Sequence, residues 1–397
     1  MGLVALPAFR CLDQQPAAGN RYGAIDGLRG FLALSVFAFH LVVTRRFVMT
    51  GVWQVPDSRF YALLGPFGVS VFFMITGFLF WGQMLRSSGR PRWHALYLGR
   101  VLRIGPLYLL VVLAMLGIVF VRTGLRLHEP ATVVVASVLP WLALGMSPAQ
   151  PDVNGYDAAH VLAAVTWTLR YEWLFYASLL ATSVFARRGR DLSFVVGAAC
   201  VCLIAKTALH IDAIGFSVLF LGGMTMASLI HRNLKPTLPQ NISSALALSC
   251  LAVIFATCHS GYGTPVAMLL AVFLYLVCGG ASLFGLLATA AAQRLGHISY
   301  SLYLLQGIVL SLVFAIAPVR AYALRSPLNY WTIGALCACL LVASSALTHV
   351  LVERPGIALG RLLVRRLDQW LGRGVAVPLT QPRSVYDSEQ TLGPVER

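Results

Sequence analysis

Charge is scarce in this chain. Of its 397 residues only 11% are Asp, Glu, Lys or Arg, and 58% are hydrophobic, whereas a soluble domain is about a quarter charged and roughly half apolar. A water-soluble fold of this length needs more polar surface than that, and helices that face lipid are apolar on every side. A mean hydropathy of +0.77 agrees. Lysine is nearly missing. Lys206 and Lys235 are the only two, so 28 basic residues (30 less these two) are arginine. Acidic residues number 14, which leaves a formal net charge of +16. A basic chain can bind nucleic acid, but the long apolar runs tie these arginines to the ends of membrane helices, and no nucleic-acid partner is expected.

Cysteine supplies no framework. The eight cysteines form no CxxC, and Cys200 with Cys202, like Cys337 with Cys339, point to different helix faces. Neither disulfides nor a metal site is expected. The chain up to Asn20 lacks the long apolar core and small-residue cleavage site of a signal peptide, so the first apolar run is expected to stay in the membrane. No GxSxG elbow or P-loop pattern occurs, which leaves serine-hydrolase and NTPase readings without support.

What is present is a succession of apolar runs. A helix needs about 20 apolar residues to cross the hydrocarbon core, and ten runs qualify: 29–48, 61–84, 104–121, 167–186, 192–210, 213–230, 243–259, 264–289, 298–318 and 330–352. An eleventh, 133–146, is short and contains Pro140. Excluding it puts Arg86, Arg90, Arg92, Arg100, Arg103, Arg187, Arg188, Arg190, Arg232, Lys235, Arg294 and the basic C-terminal residues on one side. Counting it as a crossing inverts every later loop against the positive-inside rule. The expected fold is therefore an all-α polytopic membrane bundle with about ten crossings and a re-entrant or interfacial segment. Its parts are a cytoplasmic N-terminal segment (1–23), a membrane domain (24–356) and a cytoplasmic tail (357–397). In that tail 356–373 has the spacing of an interfacial amphipathic helix, and 374–397 has the composition of disorder.

Ionisable groups inside spans are costly and are functional candidates by default. His40 follows Arg29 by eleven residues, about 16 Å along the axis at ~1.5 Å per residue, which places it past the midplane towards the outer face. It reads either as an interior histidine satisfied by a neighbouring helix or as a general base, since an ordinary imidazole titrates near pH ~6.5. Arg100 and Arg103 share a helix face and read as flanking charge or, with Arg29, as a phosphate clamp. Glu172, within the aromatic stretch from Trp167 to Tyr176, is acidic well inside a span. It is expected at the depth of His40, where it could orient the imidazole, bind hydroxyls or pair with an arginine. Gly68, Gly77 and Gly82 permit close helix approach. His210, Asp212 and His259 fall at outer loop ends.

These residues resemble the acyltransferase-3 type of bacterial integral-membrane acyltransferases, which O-acylate surface polysaccharides and other glycans. Asp26, Gly27, Leu28, Arg29 and Gly30 followed by His40 match the first-span signature, and Gly68, Phe72, Phe73, Gly77 and Phe78 the second. Arg100, Arg103, Ile104, Pro106 and Tyr108 match the paired-arginine motif, and Trp167, Leu169, Glu172, Phe175 and Tyr176 a fifth. Gly296, Ser299, Tyr300, Ser301, Tyr303 and Leu304 match the late motif, and Glu353 with Pro355 the end of the last span. Ser70 departs from the usual aspartate, Thr76 from serine, and Gln306 from a histidine. Arg170 and Tyr171 before Glu172 are also unusual.

The resemblance implies a bacterial inner-membrane enzyme with both termini cytoplasmic. It would transfer acetyl from acetyl-CoA, or another acyl-CoA used as a substrate rather than a resident cofactor, to a glycan or lipid-linked sugar hydroxyl in polysaccharide biosynthesis. Arg29, Arg100 and Arg103 would hold the donor's phosphates. His40 would act as base or transient acyl carrier, with Glu172 orienting it or the acceptor, and Asp26, Trp167, Tyr176 and Tyr300 would bind substrate. Alternatives are a transporter or flippase of a glycan intermediate, and a small macrolide-like acceptor.

Overall fold

The computed structural model describes residues 2–13, 23–187, 189–208 and 214–371. His210, Asp212 and the part of the tail from residue 372 onwards lie outside them. Among the described residues the chain is helical, and its β pairing is one isolated bridge between Val153 and Tyr156.

Each apolar run forms a helix because its backbone polar groups have no water to bond and must close on themselves. The order is α1 (Gly2–Ala5), α2 (Gly23–Thr50), α3 (Arg59–Arg86), α4 (Trp93–Arg122), α5 (Ala131–Leu142), α6 (Ala158–Val161), α7 (Trp167–Arg187) and α8 (Asp191–Ala208). Then come α9 (Ile214–His231), α10 (Gln240–Thr257), α11 (Thr264–Cys278), α12 (Ala290–His297), α13 (Ser299–Ala315), α14 (Ala317–Leu324), α15 (Pro327–Thr348) and α16 (Arg354–Trp370). A π-turn, His349–Glu353, joins the last two.

Six of these are long and apolar enough to cross a membrane: α2, α3, α4, α9, α10 and the continuous 44-residue helix Pro327–Trp370. The pair α12 and α13, bent by 68°, makes a seventh if taken as one span. The other expected crossings also lie on helices, but with less margin. α11 has 15 residues and α13 has 17, short of the ~20 that a crossing requires, and Arg170, Tyr171 and Glu172 dilute the first turns of α7. The short run with Pro140 is the 12-residue α5.

Glycines set the closest helix contacts. A Cβ on Gly223 of α9 would stand 1.8 Å from the Met74 carbonyl oxygen of α3, and one on Gly77 of α3 would stand 2.2 Å from that of Phe220. The two backbones therefore meet at reciprocal glycines. The same device locks α12 against α2. A Cβ on Gly296 would lie 1.8 Å from the carbonyl oxygen of Asp26, and one on Gly27 would lie 2.1 Å from that of Leu287, in the 3₁₀ turn Leu286–Ala288 just before α12. Because backbone cannot rotate away, Gly296→Ala forces the helices apart. It is expected to destabilise the protein by at least the ~1–3 kcal/mol of ordinary overpacking, read as a lower melting temperature of the purified protein and a displaced Arg29 helix.

One end of the bundle gathers the basic residues. Asp368 of α16 is buried and pairs with Arg92 and His94, both at 2.8 Å. Arg232 meets Asp191 at 2.8 Å. Arg294 binds Asp13 at 2.6 Å and the Val4 carbonyl at 2.8 Å, which ties the described N-terminal residues beneath α12. The amphipathic stretch at 356–373 coincides with α16, but it runs on from α15 as one helix. At ~1.5 Å per residue that helix measures about 66 Å, twice a ~30 Å hydrocarbon core. Its last third packs against the start of α4, where a Cβ on Gly356 would meet the Leu102 carbonyl oxygen at 2.6 Å.

Candidate active site

Within the bundle, α2, α3, α4, α7 and α13 surround a cavity of about 120 Å³. Arg29, Arg100, Arg103, Glu172, Tyr176 and Tyr300, six of the nine residues singled out in the sequence, line it together. Their spacing explains the convergence: Arg100 with Arg103, and Glu172 with Tyr176, are i,i+3 and i,i+4 neighbours and so share faces. The Tyr176 hydroxyl donates to Glu172 Oε2 at 2.9 Å. The Arg100 guanidinium lies over the Phe80 ring, 4.3 Å from its centroid. Arg103 Nε stands 4.0 Å from Glu353 Oε1, and Arg29 Nη1 stands 4.0 Å from Asp26 Oδ1. These are loose pairs. A guanidinium carries five N–H donors, so the arginines keep donors free for an anion.

His40 lies outside that lining. Its Nδ1 is 3.0 Å from the Val36 carbonyl oxygen and 3.2 Å from Gln306 Oε1. Gln306 is oriented in turn, since its Nε2 donates to the Tyr303 carbonyl at 2.9 Å. Both groups facing Nδ1 are acceptors, so Nδ1 carries the proton and Nε2 keeps its lone pair. The position on α13 is informative as well: Tyr303 lines the arginine cavity, whereas Gly307 lines a second one of about 720 Å³. That second cavity is walled by Trp53, Arg122, Tyr156, Asp157 and His160 among others. His160 stacks on Trp53 with ring centroids 4.6 Å apart and pairs with Asp157 at 2.6 Å. His40 lines neither cavity, but on α2 it falls between Arg29, which lines the first, and Thr44, which lines the second.

Three expectations land elsewhere. Glu172 faces the arginines and Tyr176, and among the described residues the side-chain partner of His40 is Gln306 instead. Trp167 belongs to an aromatic cluster with Tyr171, Phe216 and Phe73. Asp26 is held by its ion pair with Arg29, outside the cavity lining. Tyr300 spends its hydroxyl on the Ile104 carbonyl at 2.8 Å, which braces α13 against α4.

Reading the sequence missed the support under Arg103. The π-turn presents His349 and Glu353 on one face, with Nδ1 to Oε2 at 2.8 Å, and Ser301 donates to the same oxygen at 3.2 Å. Glu353 is 1% exposed. Its signal was the acidic residue two before Pro355, but its partners come from α4 and α13. Tyr303 and Ser299 of the late motif also line the cavity, as does Thr168, whose hydroxyl stands 3.1 Å from that of Tyr303.

The chain belongs to the Acyltransferase domain family, of the acyltransferase-3 type, which it matches over residues 22–350. It is therefore an acyltransferase of membrane-helix character. Among characterised proteins it is similar to Acyltransferase MdmB of Streptomyces mycarofaciens, with 26% identity over 387 aligned residues that cover 87% of this chain and 93% of that one. No solved structure matches.

Proposed function

We propose that the protein transfers an acyl group, acetyl in the simplest case, from acyl-CoA to a hydroxyl of a glycan or lipid-linked sugar. The observation that carries this reading is His40, its Nδ1 pinned by Val36 and Gln306, on the helix whose Arg29 lines an arginine-rich cavity and whose Thr44 lines a polar, aromatic one. The basic end would face the cytoplasm, as the positive-inside rule requires of arginine-rich ends, with ten helices crossing the inner membrane. The donor would approach from that end past Arg100 and Arg103, with Arg29 deeper. The acceptor would enter the opposite cavity, whose hydrogen-bonding groups and ring faces suit a sugar.

In the reaction His40 Nε2 takes the proton of the acceptor hydroxyl as its oxygen attacks the thioester carbonyl. The tetrahedral intermediate collapses with cleavage of the carbon–sulfur bond, and the imidazolium returns the proton to the departing CoA thiolate. Atoms and charge balance without a metal or redox partner. Asp26, Glu172, Tyr176 and Tyr300 hold the arginines and helices that shape the donor's path, and Trp167 packs the aromatic wall behind it.

Isolated membranes given labelled acetyl-CoA provide the direct test: the reading requires label to appear in the glycan fraction, and a transporter leaves it in the donor. Gln306→Leu offers a finer one. It removes one of two acceptors for the His40 Nδ1–H, worth about 1 kcal/mol. A roughly fivefold fall in kcat with an unchanged KM for the donor is expected, and an unchanged kcat would mean that Gln306 does not position the ring.

A further inference from the structure

We infer that the nucleotide end of the donor, with its pyrophosphate and 3′-phosphate, sits in a groove between α4 and α16, facing Arg92, Arg361 and Arg365. This rests on the acyl-CoA reading and assigns to α16 a binding function of its own.

Size decides first. The arginine cavity, at about 120 Å³, holds a few water molecules, each with a ~30 Å³ share of liquid volume, and cannot enclose an adenosine diphosphate. The groove measures about 870 Å³, within the ~300–1,000 Å³ range of small-molecule sites. Phe80, Arg100 and Arg103 line both spaces, so the two are separated only by these side chains. These side chains must part for an extended pantetheine arm to pass from the groove to the cavity.

Charge decides next. Arg361 and Arg365 are four residues apart on one face of α16, exposed, and without a carboxylate partner among the described residues. The one carboxylate lining the groove, Asp368, is already shared by Arg92 and His94. The floor is made of small residues: Gly99 Cα lies 3.9 Å from where a Cβ on Gly360 would stand. A groove with unpaired guanidiniums and a glycine floor is a phosphate seat. Lipid headgroups carry the same chemistry, and the experiment separates the two sources.

The test uses the full-length protein in nanodiscs, either neutral or containing anionic phosphatidylglycerol. CoA, 3′-dephospho-CoA and acetyl-pantetheine serve as probes. Arg361→Gln/Arg365→Gln is expected to weaken CoA at least tenfold, about 1.4 kcal/mol, to weaken 3′-dephospho-CoA less, and to leave acetyl-pantetheine unchanged. Arg366→Gln, an exposed arginine of α16 outside the groove lining, should leave CoA affinity unchanged. Equal CoA affinity in the double variant, with only its response to anionic lipid altered, would overturn the inference and assign α16 to the membrane surface. A wild-type protein that binds no CoA would overturn the donor reading beneath it.

Discussion

His40→Ala lowers acyl transfer from acyl-CoA by about 10²–10⁴-fold, the contribution of a positioned general base. The effect is large because the groups nearest the ring supply no substitute: Gln306 has no titratable proton, Glu172 accepts from Tyr176 in the arginine cavity, and His160 is held by Asp157 beyond Trp53. Affinity for CoA should stay close to the wild-type value, because His40 does not line the arginine cavity or the groove that joins it. The substitution also leaves Gln306 Oε1 short of a donor, at a cost of roughly 1–3 kcal/mol. Protein level and melting temperature are therefore measured beside label transfer. Partial rescue by added imidazole would tie the loss to the missing ring. Transfer retained at the wild-type rate by a folded His40→Ala protein would end the assignment.

Glu353→Leu is expected to produce the largest loss of stability, on the order of 2–5 kcal/mol, mainly because it strands two buried hydrogen-bond donors at roughly 1–3 kcal/mol each. Its carboxylate serves three groups: His349 Nδ1 at 2.8 Å, Ser301 Oγ at 3.2 Å and Arg103 Nε at 4.0 Å. Leucine fills much of the volume but leaves the guanidinium and two buried donors unmatched. A double-mutant cycle makes the cause testable. Arg103→Met in the Glu353→Leu background should recover part of the melting temperature, because the charge that lost its partner is then gone, while donor binding stays impaired. Glu353→Gln, which keeps an acceptor oxygen for Ser301, should fall between the two. A Glu353→Leu protein that melts like the wild type would show that Arg103 does not depend on this carboxylate.

The legibility of the site follows sequence distance. Arg100 with Arg103, and Glu172 with Tyr176, could be paired on paper because each pair lies within one turn of one helix, where spacing alone fixes the shared face. The His40 environment could not. Gln306 lies 266 residues away, and at the level of the sequence its place in the late motif marked only the loss of a histidine. Which of the three roles open to Glu172 fits its surroundings was undecided for the same reason, and the structure places it with Tyr176 beside the arginines. Depth along a span can be counted at ~1.5 Å per residue, but which face a helix turns inward depends on the neighbour it packs against.

Amphipathicity was similarly ambiguous for α16. Leucines and arginines at helical spacing fit a helix lying on lipid, and they fit equally a helix whose charged face closes a groove. Continuity with α15 and the close approach of Gly356 to Leu102 fix which face of α16 lies against α4, and the CoA and anionic-lipid measurements decide what the charged face binds.

By itself the sequence determined the helical class, the basic end, the family and most of the cavity's polar lining. Apolar run length, arginine position and motif order are local properties that survive any packing. Only the tertiary structure decided which nitrogen of His40 is pinned, which carboxylate supports Arg103 and where Arg361 and Arg365 of α16 stand. Those depend on the rotation and approach of helices distant in the chain, set by backbone contacts at Gly27, Gly77, Gly223 and Gly296. Helical periodicity specifies a face but not the residue that will lie against it.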